Sequence, residues 1–300
     1  MRRHFIFIIN PISGTKSKTD LKKYIIRKTT EENIPFDIYP SVASGDYSFL
    51  NSIIKEKGTT DVIIAGGDGT VSQVVHSLAS CNVNFGIIPC GSGNGLAFTA
   101  GIPSQHIKAL EIAFRSKPVA IDGFTVNKQF ACMLAGLGFD AKIAHDFANQ
   151  PKRGLATYTK QVIKNFFGAP VYKFAIESGP IKFTTDAYFI SIANSNQFGN
   201  NVTIAPEASL TDGLLDIVIV AGQNKLSLLL QTFLQISGNN KLQVLPTIDE
   251  KKGVIYFQAN KLTISNLSDA PLHIDGDPVA CASKLEIKII EKCFRLIQPV

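Results

Sequence analysis

Short apolar runs alternate with helically spaced segments along the first 125 residues of the chain. The apolar runs predict strands at residues 5–9, 36–39, 61–65 and 85–88. The intervening and following segments predict helices at residues 21–30, 47–57, 71–79, 96–100 and 107–115. Continuous apolar strands that alternate with helices are typical of a parallel sheet covered by helices on both faces. The pattern therefore predicts a doubly wound, Rossmann-like α/β domain, in which ligands bind beyond the carboxyl ends of the strands.

Beyond residue 119 the pattern changes to one strand after another. Strands are predicted at residues 172–177, 181–184, 187–194, 215–220, 253–258, 261–266, 272–274 and 284–290, with helices at residues 155–167 and 225–235. Short strands separated by turn signals are typical of a β-sandwich. We therefore predict an α/β domain at residues 1–123 and a β-sandwich at residues 124–290, with residues 291–300 returning to the first domain. Because no flexible linker separates them, we expect the active site in a cleft between the domains.

Composition and charge narrow the class of protein. A hydrophobic content of 45% and a charged content of 18% are normal for a globular protein with a sizeable core. The five cysteines are scattered without CxxC spacing, so we expect a reducing, cytoplasmic location and neither a disulfide framework nor a zinc site. The apolar run at residues 5–9 is too short for a signal sequence or a membrane span. The net charge of +6 suits nucleotides or phospholipid surfaces and does not indicate nucleic acid binding.

The strongest motif is Gly-Gly-Asp-Gly-Thr at residues 66–70, here called the GGDGT loop. It leads from a buried strand through three glycines into a helix. Glycines allow positive φ and a close approach of the backbone to a ligand, and the exposed amides at a helix start favour phosphate. The carboxylate of Asp68 can hold Mg²⁺ or orient a phosphate-bearing substrate. An ordinary strand-to-helix turn needs fewer special residues than this, so the motif predicts a ligand site.

Two more loops follow neighbouring strands of the same predicted sheet. The GSGN loop (residues 91–94) repeats the order of strand, glycine-rich turn and helix. The first loop (residues 10–14, Asn-Pro-Ile-Ser-Gly) is also compatible with a plain Asx turn. Neither glycine-rich loop has the GxxxxGK[ST] arrangement or a Rossmann fingerprint with its acidic ribose ligand. Together the three loops predict a site that grips a triphosphate at one edge of the sheet.

The three loops resemble those of the catalytic domain of diacylglycerol kinases and sphingosine kinases, and the bacterial lipid kinases of that group resemble the chain over nearly its whole length. The GGDGT element alone is shared with NAD kinases and, in looser form, phosphofructokinases, whereas its combination with the GSGN loop is more specific. The resemblance implies that ATP is bound and that Mg²⁺ is required. The ATP contacts that it implies are Asn10, Ser13, Ser41, Gly66, Gly67, Asp68, Gly69, Thr70, Gly91, Ser92 and Asn94.

The resemblance implies a reaction type more firmly than an acceptor. Many diacylglycerol kinases have Asp-Phe-Ala after the asparagine of the second loop, whereas this chain has Gly-Leu-Ala at residues 95–97, which is more similar to sphingosine kinases. We expect transfer of the γ-phosphate to a lipid hydroxyl, with diacylglycerol as the acceptor and a sphingoid base as the alternative. An NAD kinase-like enzyme and a non-catalytic nucleotide- or lipid-binding protein remain as further alternatives.

The β-rich half contains two acidic turns. The acidic loop (residues 205–214) reads as a solvated surface turn or as a site for a hard cation. It resembles the PEAxxxDGxLD signature of the bacterial lipid kinases, which implies a structural Mg²⁺ held by Asp212 with the carbonyl groups of Ser209 and Leu214.

The DGD turn (residues 275–277) reads as a catalytic pair of carboxylates or as an Asp-Gly hairpin turn. Phosphoryl transfer needs positioning, charge neutralisation and a group that accepts the hydroxyl proton. The lipid kinases have a matching Asp-Gly-Glu that is implicated as the base. We therefore predict Asp275, Asp277 and Asp68 as the catalytic residues, and the choice of base between the first two stays open.

Residues 152–167 mix basic and apolar side chains. This pattern suits either an interfacial segment on anionic lipid or an amphipathic helix packed on the β-sandwich. We expect a membrane lipid as the partner, reached through transient peripheral contact at the inner membrane surface. A homodimer stays open.

Overall fold

The computed structural model describes residues 3–14, 18–148, 168–199, 202–221 and 253–299. The predicted helices at residues 155–167 and 225–235, and the basic segment at residues 152–167, lie outside the described residues. The chain divides into two compact units. The N-terminal unit comprises Met1–Ile121 and Lys292–Val300, and the C-terminal unit comprises Asp122–Glu291.

The N-terminal unit contains a parallel sheet in the order β2-β1-β3-β4. Its strands are β1 Phe5–Ile9, β2 Phe36–Pro40, β3 Asp61–Gly66 and β4 Asn84–Pro89. At the end of the chain, Arg295 and Leu296 pair with β4, also in parallel. Every residue of β1 and β3 is buried, as expected of central strands that are covered on both faces.

The helices of this unit are α1 Thr19–Glu31, α2 Leu50–Lys57, α3 Asp68–Leu78, α4 Gly95–Thr99 and α5 His106–Arg115. Each of the longer helices buries an apolar stripe, such as Leu21 and Ile25 in α1. The predicted doubly wound α/β fold is confirmed. The helix predicted from residue 47 begins only at Leu50, because the carboxylate of Asp46 accepts the N–H of Ser48 in an Asx turn that occupies the intervening residues.

The C-terminal unit is built mainly of antiparallel strands, which run in the order β16-β15-β7-β9-β8-β14-β17, with β12 and β13 attached through β9. The strands are β5 Pro118–Val126, β6 Gln129–Ala131, β7 Leu134–Gly138, β8 Tyr172–Ser178, β9 Ile181–Ala193, β10 Gln197–Gly199, β11 Val202–Thr203, β12 Leu215–Ala221, β13 Val254–Ala259, β14 Lys261–Asn266, β15 Leu272–Ile274, β16 Asp277–Val279 and β17 Lys284–Ile297. The helix α6 is Phe139–Ala148. The first residues of β5 and the last of β17 belong to the N-terminal unit.

The strands of the C-terminal unit enclose an apolar cluster that includes Phe124, Phe174, Ile190 and Ile217. This arrangement confirms the predicted β-sandwich class. The predicted strands at residues 181–184 and 187–194 form the single strand β9, because alternating exposure continues through the residues between them. In the part of the chain that the structure describes, no helix is both long and apolar enough to span a membrane.

Candidate functional site

The first loop and the GGDGT loop meet at the carboxyl edge of the N-terminal sheet. Ile9 and Ala65 are partners in neighbouring strands, so the residues that follow them emerge side by side. The backbone N–H of Asn10 donates to the carbonyl of Ala65 at 2.9 Å. The side-chain amide of Asn10 donates to Oγ1 of Thr70 at 2.8 Å. The first loop is therefore tied to the residue before the GGDGT loop and to the last residue of that loop.

The GGDGT and GSGN loops are in direct backbone contact. A Cβ placed on Gly91 would lie 2.5 Å from the Cα of Gly67, and one placed on Gly67 would lie 3.0 Å from the Cα of Gly91. Oδ2 of Asp68 accepts the backbone N–H of Asn94 at 2.6 Å. Asn94 has a positive φ of 59° and bonds through its side chain to the N–H and carbonyl of Gly91. Glycine at both contact points is thus a steric requirement.

The first loop also touches the residue before the GSGN loop. Gly14 has φ +65°, and a Cβ there would overlap the carbonyl oxygen of Cys90. Ser13 donates its hydroxyl to the carbonyl of Asn10 at 3.2 Å, and the N–H of Ile12 donates to Oδ1 of Asn10 at 3.0 Å. The Asx turn considered from the sequence is therefore present, within a loop that is packed against the other two.

The start of α3 lies within this group of loops. Gly67 is the N-cap and has no side chain to accept the N–H groups of the first turn, where Gly69 lies. Backbone N–H groups and the positive end of the helix dipole make such a start suitable for phosphate. Ser41 follows β2 at the same edge, where its N–H donates to the carbonyl of Ile9 at 3.0 Å. Ser92 lies in the GSGN loop and is half-buried.

The DGD turn of the C-terminal unit is a two-residue hairpin. It joins β15 to β16, and Ile274 pairs with Asp277 across it. Asp275 and Gly276 have φ values of 49° and 87°, as a type I′ turn requires. The hairpin geometry considered from the sequence is therefore real, with Asp275 as its first central residue and Asp277 as the first residue of β16.

The two carboxylates of the DGD turn have different surroundings. Asp275 is buried, and Oδ1 accepts the backbone N–H groups of Met133 and Leu134 at 2.9 and 3.0 Å. Its Oδ2 accepts the backbone N–H of Cys132 at 3.0 Å. Asp277 is exposed at the start of β16. Asp275 thus fastens the turn to the segment before β7, while Asp277 faces solvent.

A buried hydrogen-bonded chain joins the DGD turn to the acidic loop. The side-chain amide of Asn194 donates to the carbonyls of Cys132 and Asp122 at 3.0 and 2.9 Å. Oδ2 of Asp122 accepts the N–H of Gly213 at 2.8 Å, and the N–H of Asp122 donates to the carbonyl of Leu210 at 2.7 Å. This hydrogen-bond network connects the two acidic turns, which lie far apart in the sequence.

Sequence reasoning missed Asp122 and Asn194 as site residues. Asp122 was visible only as an acid beside a predicted domain boundary, and Asn194 as the last residue of a predicted strand. Both are fully buried polar residues. A buried Asn or Asp needs hydrogen-bond partners, but the sequence does not show that it is buried.

Several carboxylates lie in the acidic loop and at the start of β12, which follows it. Asp212 is exposed, and its Oδ1 accepts the N–H of Leu214 at 3.0 Å in an Asx turn. Ser209 lies 3.4 Å from the Thr211 hydroxyl, Oγ to Oγ1. Asp216 is buried, and burial raises its pKa to about 6, with the nearby charges of Asp212 and Glu207 adding to the rise. The Tyr256 hydroxyl donates to Asp216 and opposes that rise.

The donor set of the acidic loop fits a hard cation better than a zinc-type ion. Within the described residues no group of three or more His, Cys, Asp or Glu side chains could hold a metal. One carboxylate on an Asx turn, with neighbouring carbonyls and water, is a sufficient set for Mg²⁺, which retains several waters when bound. A cation bound here would also offset the charges of Asp212 and Glu207, which add to the rise in the pKa of Asp216 that burial causes.

Each half of the chain matches a known protein family. Residues 4–126 match the model of the diacylglycerol kinase catalytic domain. Residues 134–297, more than half of the chain, match the model of the YegS C-terminal NAD kinase beta sandwich-like domain. The lipid kinase YegS of Escherichia coli (strain K12) is 27% identical over 277 residues, which cover 90% of this chain and 88% of that protein.

Solved structures share the same architecture. The crystal structure of a diacylglycerol kinase from Bacillus anthracis str. Sterne aligns with a TM-score of 0.74 at 18% identity, over 99% of this chain and 97% of that one. A second Bacillus anthracis structure aligns with a TM-score of 0.80 at 18% identity over the same shares. At such low identity the structures show the fold alone.

The two family models together cover almost the whole chain, in the order in which the two units follow one another. A kinase of this family is a phosphotransferase with an alcohol group as acceptor. The chain therefore belongs to the lipid kinase family that joins a diacylglycerol kinase catalytic domain to a YegS-type β-sandwich domain.

Proposed function

We propose that this chain transfers the γ-phosphate of ATP to a hydroxyl group of a membrane lipid, with diacylglycerol as the acceptor. The observation that carries the nucleotide part is the interlocking of the first, GGDGT and GSGN loops around the start of α3. The lipid part is supported by relatives, one named a lipid kinase and one a diacylglycerol kinase. A sphingoid base is the alternative acceptor, because residues 95–97 are Gly-Leu-Ala.

The phosphates of ATP would lie against backbone N–H groups at the start of α3 and in the two glycine loops. Because residues 67 and 91 are glycines, no side chain separates the two glycine loops where they pack against each other. Asn10 and Thr70 would contact the nucleotide from the first and GGDGT loops, and Ser41 from the end of β2. Asp68 would act chiefly by holding the GSGN loop in place through the N–H of Asn94.

Asp277 is the proposed general base. Asp275 is buried and its oxygens accept three backbone N–H groups, whereas Asp277 is exposed to solvent at the start of β16. As the lipid oxygen bonds to the γ-phosphorus, the bond from phosphorus to the β,γ-bridging oxygen breaks and its electron pair leaves with ADP. The hydroxyl proton passes to the Asp277 carboxylate.

Mg²⁺ would be held at the acidic loop by Asp212 and the carbonyls of Ser209 and Leu214. When bound there it supplies positive charge that offsets the crowded carboxylates. The loop is fastened to Asp122, and through Asn194 to the segment that holds Asp275. Order in the acidic loop would therefore be passed on to the DGD turn.

The acceptor is tested by incubating the protein with ³²P-labelled ATP, Mg²⁺ and vesicles that contain diacylglycerol, a sphingoid base or neither, with NAD in a parallel reaction. We expect label in phosphatidic acid, identified by mass spectrometry. Label in the sphingoid base alone would replace the acceptor, and label in NAD alone would overturn the lipid kinase proposal. A protein that binds ATP and lipid but transfers no label would be a non-catalytic binding protein.

The protein would be cytoplasmic. Its contact with the membrane would be peripheral and transient, at the inner membrane surface. Sedimentation with anionic vesicles tests this directly. Binding that weakens as salt increases would support electrostatic contact. The same samples, run without vesicles on a sizing column, would show whether the protein is a homodimer.

A further inference from the structure

A buried histidine–carboxylate pair lies beside the DGD turn. His273 is on β15, two residues before Asp275, and Asp140 is in the first turn of α6. Nε2 of His273 and Oδ2 of Asp140 are 3.0 Å apart, and the two side chains are only 3% and 7% exposed. Neither residue is among the groups to which the sequence assigned a role.

The hydrogen bond on the other ring nitrogen fixes the tautomer of His273. The backbone N–H of Gly276 donates to Nδ1 at 3.2 Å. A backbone N–H can only donate, so Nδ1 is the unprotonated nitrogen. The proton of the neutral ring is then on Nε2, where it is donated to Asp140. The carboxylate of Asp140 therefore selects the tautomer that the Gly276 N–H needs.

The strand beside the pair is shaped around it. Gly136 on β7 is the pairing partner of His273 on β15. A Cβ on Gly136 would overlap both Oδ2 of Asp140 and Nε2 of His273. The helix that carries Asp140 is tied to β15 a second time, where a ring nitrogen of His145 lies 3.0 Å from the carbonyl oxygen of Leu272. The space for the pair thus depends on glycine at residue 136.

We propose that His273 and Asp140 are positioning residues that set the direction of Asp277. The DGD turn has two central residues, and each has a separate anchor. Three backbone N–H groups hold the carboxylate of Asp275, and His273 holds the N–H of Gly276. With both fixed, the chain leaves the turn in one direction, and Asp277 is the next residue. This inference rests on the proposed role of Asp277 as the base.

Two substitutions of His273 separate its two hydrogen bonds. His273→Asn places an oxygen near the position of Nδ1, so it keeps an acceptor for Gly276 and loses Asp140. His273→Gln places an N–H donor near the position of Nε2, so it keeps Asp140 and loses the acceptor for Gly276. Both substitutions remove the imidazole ring and one of its two hydrogen bonds. We therefore expect the two variants to lose similar amounts of thermal stability.

The expected result is a difference in kcat between these two variants. His273→Gln should lower kcat on the order of 10- to 100-fold, because a misplaced catalytic group is costly even at small displacements. His273→Asn should stay within about threefold of wild type. The KM for ATP should not change in either. His4→Gln is the matched control, because His4 is also buried, lies 3.4 Å from Asp37 and sits in the N-terminal unit.

Losses of kcat that are equal in the two His273 variants and follow their melting temperatures, as in His4→Gln, would overturn the inference. The tautomer gives a readout that does not need activity. In ¹⁵N-histidine spectra of the wild-type protein, His273 should carry its proton on Nε2, and Asp140→Asn should alter that signature. A proton on Nδ1 in the wild type would overturn the inference. A wild-type protein with this tautomer but no lipid phosphorylation would instead overturn the proposed function.

Discussion

In the N-terminal unit the loops of the candidate site are held by close glycine contacts and by hydrogen bonds between residues 26 to 60 positions apart, whereas in the C-terminal unit the acidic turns are held by buried side chains that bond over longer separations in the sequence. Gly67 meets Gly91, and Asp68 bonds to Asn94 only 26 residues along the chain. Asp275, by contrast, bonds to Cys132 at a separation of 143 residues. The difference implies that the N-terminal loops tolerate little added volume, while the acidic turns depend on an intact network.

The sharpest test of this comparison lies within the DGD turn itself. Asp277→Asn should lower kcat on the order of 10³-fold, because it removes the proposed proton acceptor. It should lower the melting temperature less than Asp275→Asn does, since Asp277 is exposed and Asp275 is buried. The measurement is initial-rate kinetics on diacylglycerol vesicles together with thermal unfolding.

Asp275→Asn is the matched control in the same turn. It replaces a carboxylate oxygen that accepts the Cys132 N–H with an amide donor, so we expect lost stability of roughly 1 to 3 kcal/mol for the buried group left unpaired. If Asp277→Asn kept wild-type kcat, Asp277 would not be the base and the contrast between the two acids would fail.

A methyl group in the contact between the glycine loops should have the next largest effect. Gly91→Ala would place a Cβ 2.5 Å from the Cα of Gly67, so one loop must shift. We expect ATP affinity to fall on the order of 30-fold, as judged by titration with a fluorescent nucleotide. Gly58→Ala is the control, because it has positive φ but no atom within 4 Å of the added Cβ. It should cost about 1 kcal/mol of stability and leave ATP affinity unchanged. Equal affinity in the two variants would contradict the steric account.

Interrupting the hydrogen-bond network between the acidic turns should have a smaller effect on catalysis. Asn194→Ala leaves the carbonyls of Asp122 and Cys132 without their donor and should cost roughly 2 to 4 kcal/mol of stability. We also expect kcat to fall about tenfold, because the segment that holds Asp275 loses a support.

The control for Asn194→Ala is Asn266→Ala. Asn266 is likewise buried, and its side chain bonds to the N–H and carbonyl of Ala270 in the same unit. Asn266→Ala should lose comparable stability without the loss in kcat. Parallel losses of kcat in both variants would mean that Asn194 matters for folding alone.

The same contrast decides what could be predicted from the sequence. The three N-terminal loops were predicted because a close backbone approach demands glycine at residues 67 and 91 and a positive φ favours it at residue 14, and these glycines are visible in the sequence. Most strands were predicted from apolar runs or local alternation, although β9 was divided in two, and the segment β5 to α6 and the short strands β10, β11 and β16 were missed. The roles of Asn194, Asp122 and His273 could not be predicted, because each depends on at least one partner more than 70 residues away, such as Asp122 for Asn194 and Asp140 for His273.

The last and smallest expected effect is on stability and concerns Asp216. Burial disfavours the charged form of its carboxylate. Its folded pKa is raised to about 6 from an ordinary value of 3.8. Between these two values the folded state binds more protons than the unfolded state, so this group makes the protein less stable as pH rises from about 4 to 6. Asp216→Asn keeps an acceptor for the Tyr256 hydroxyl and removes the buried charge.

We therefore expect Asp216→Asn to be more stable than wild type at pH 7, by on the order of 2 kcal/mol, and to lose this advantage near pH 4. Urea unfolding in EDTA at both pH values measures the difference and removes any contribution from bound cation. Burial lowers the pKa of His4, which makes stability fall with falling pH, but this contribution is common to both proteins and cancels in the difference. A variant less stable than wild type at pH 7 would show that the charge of Asp216 stabilises the C-terminal unit. The two units would then differ in how buried charges are compensated as well as in how their loops and turns are held.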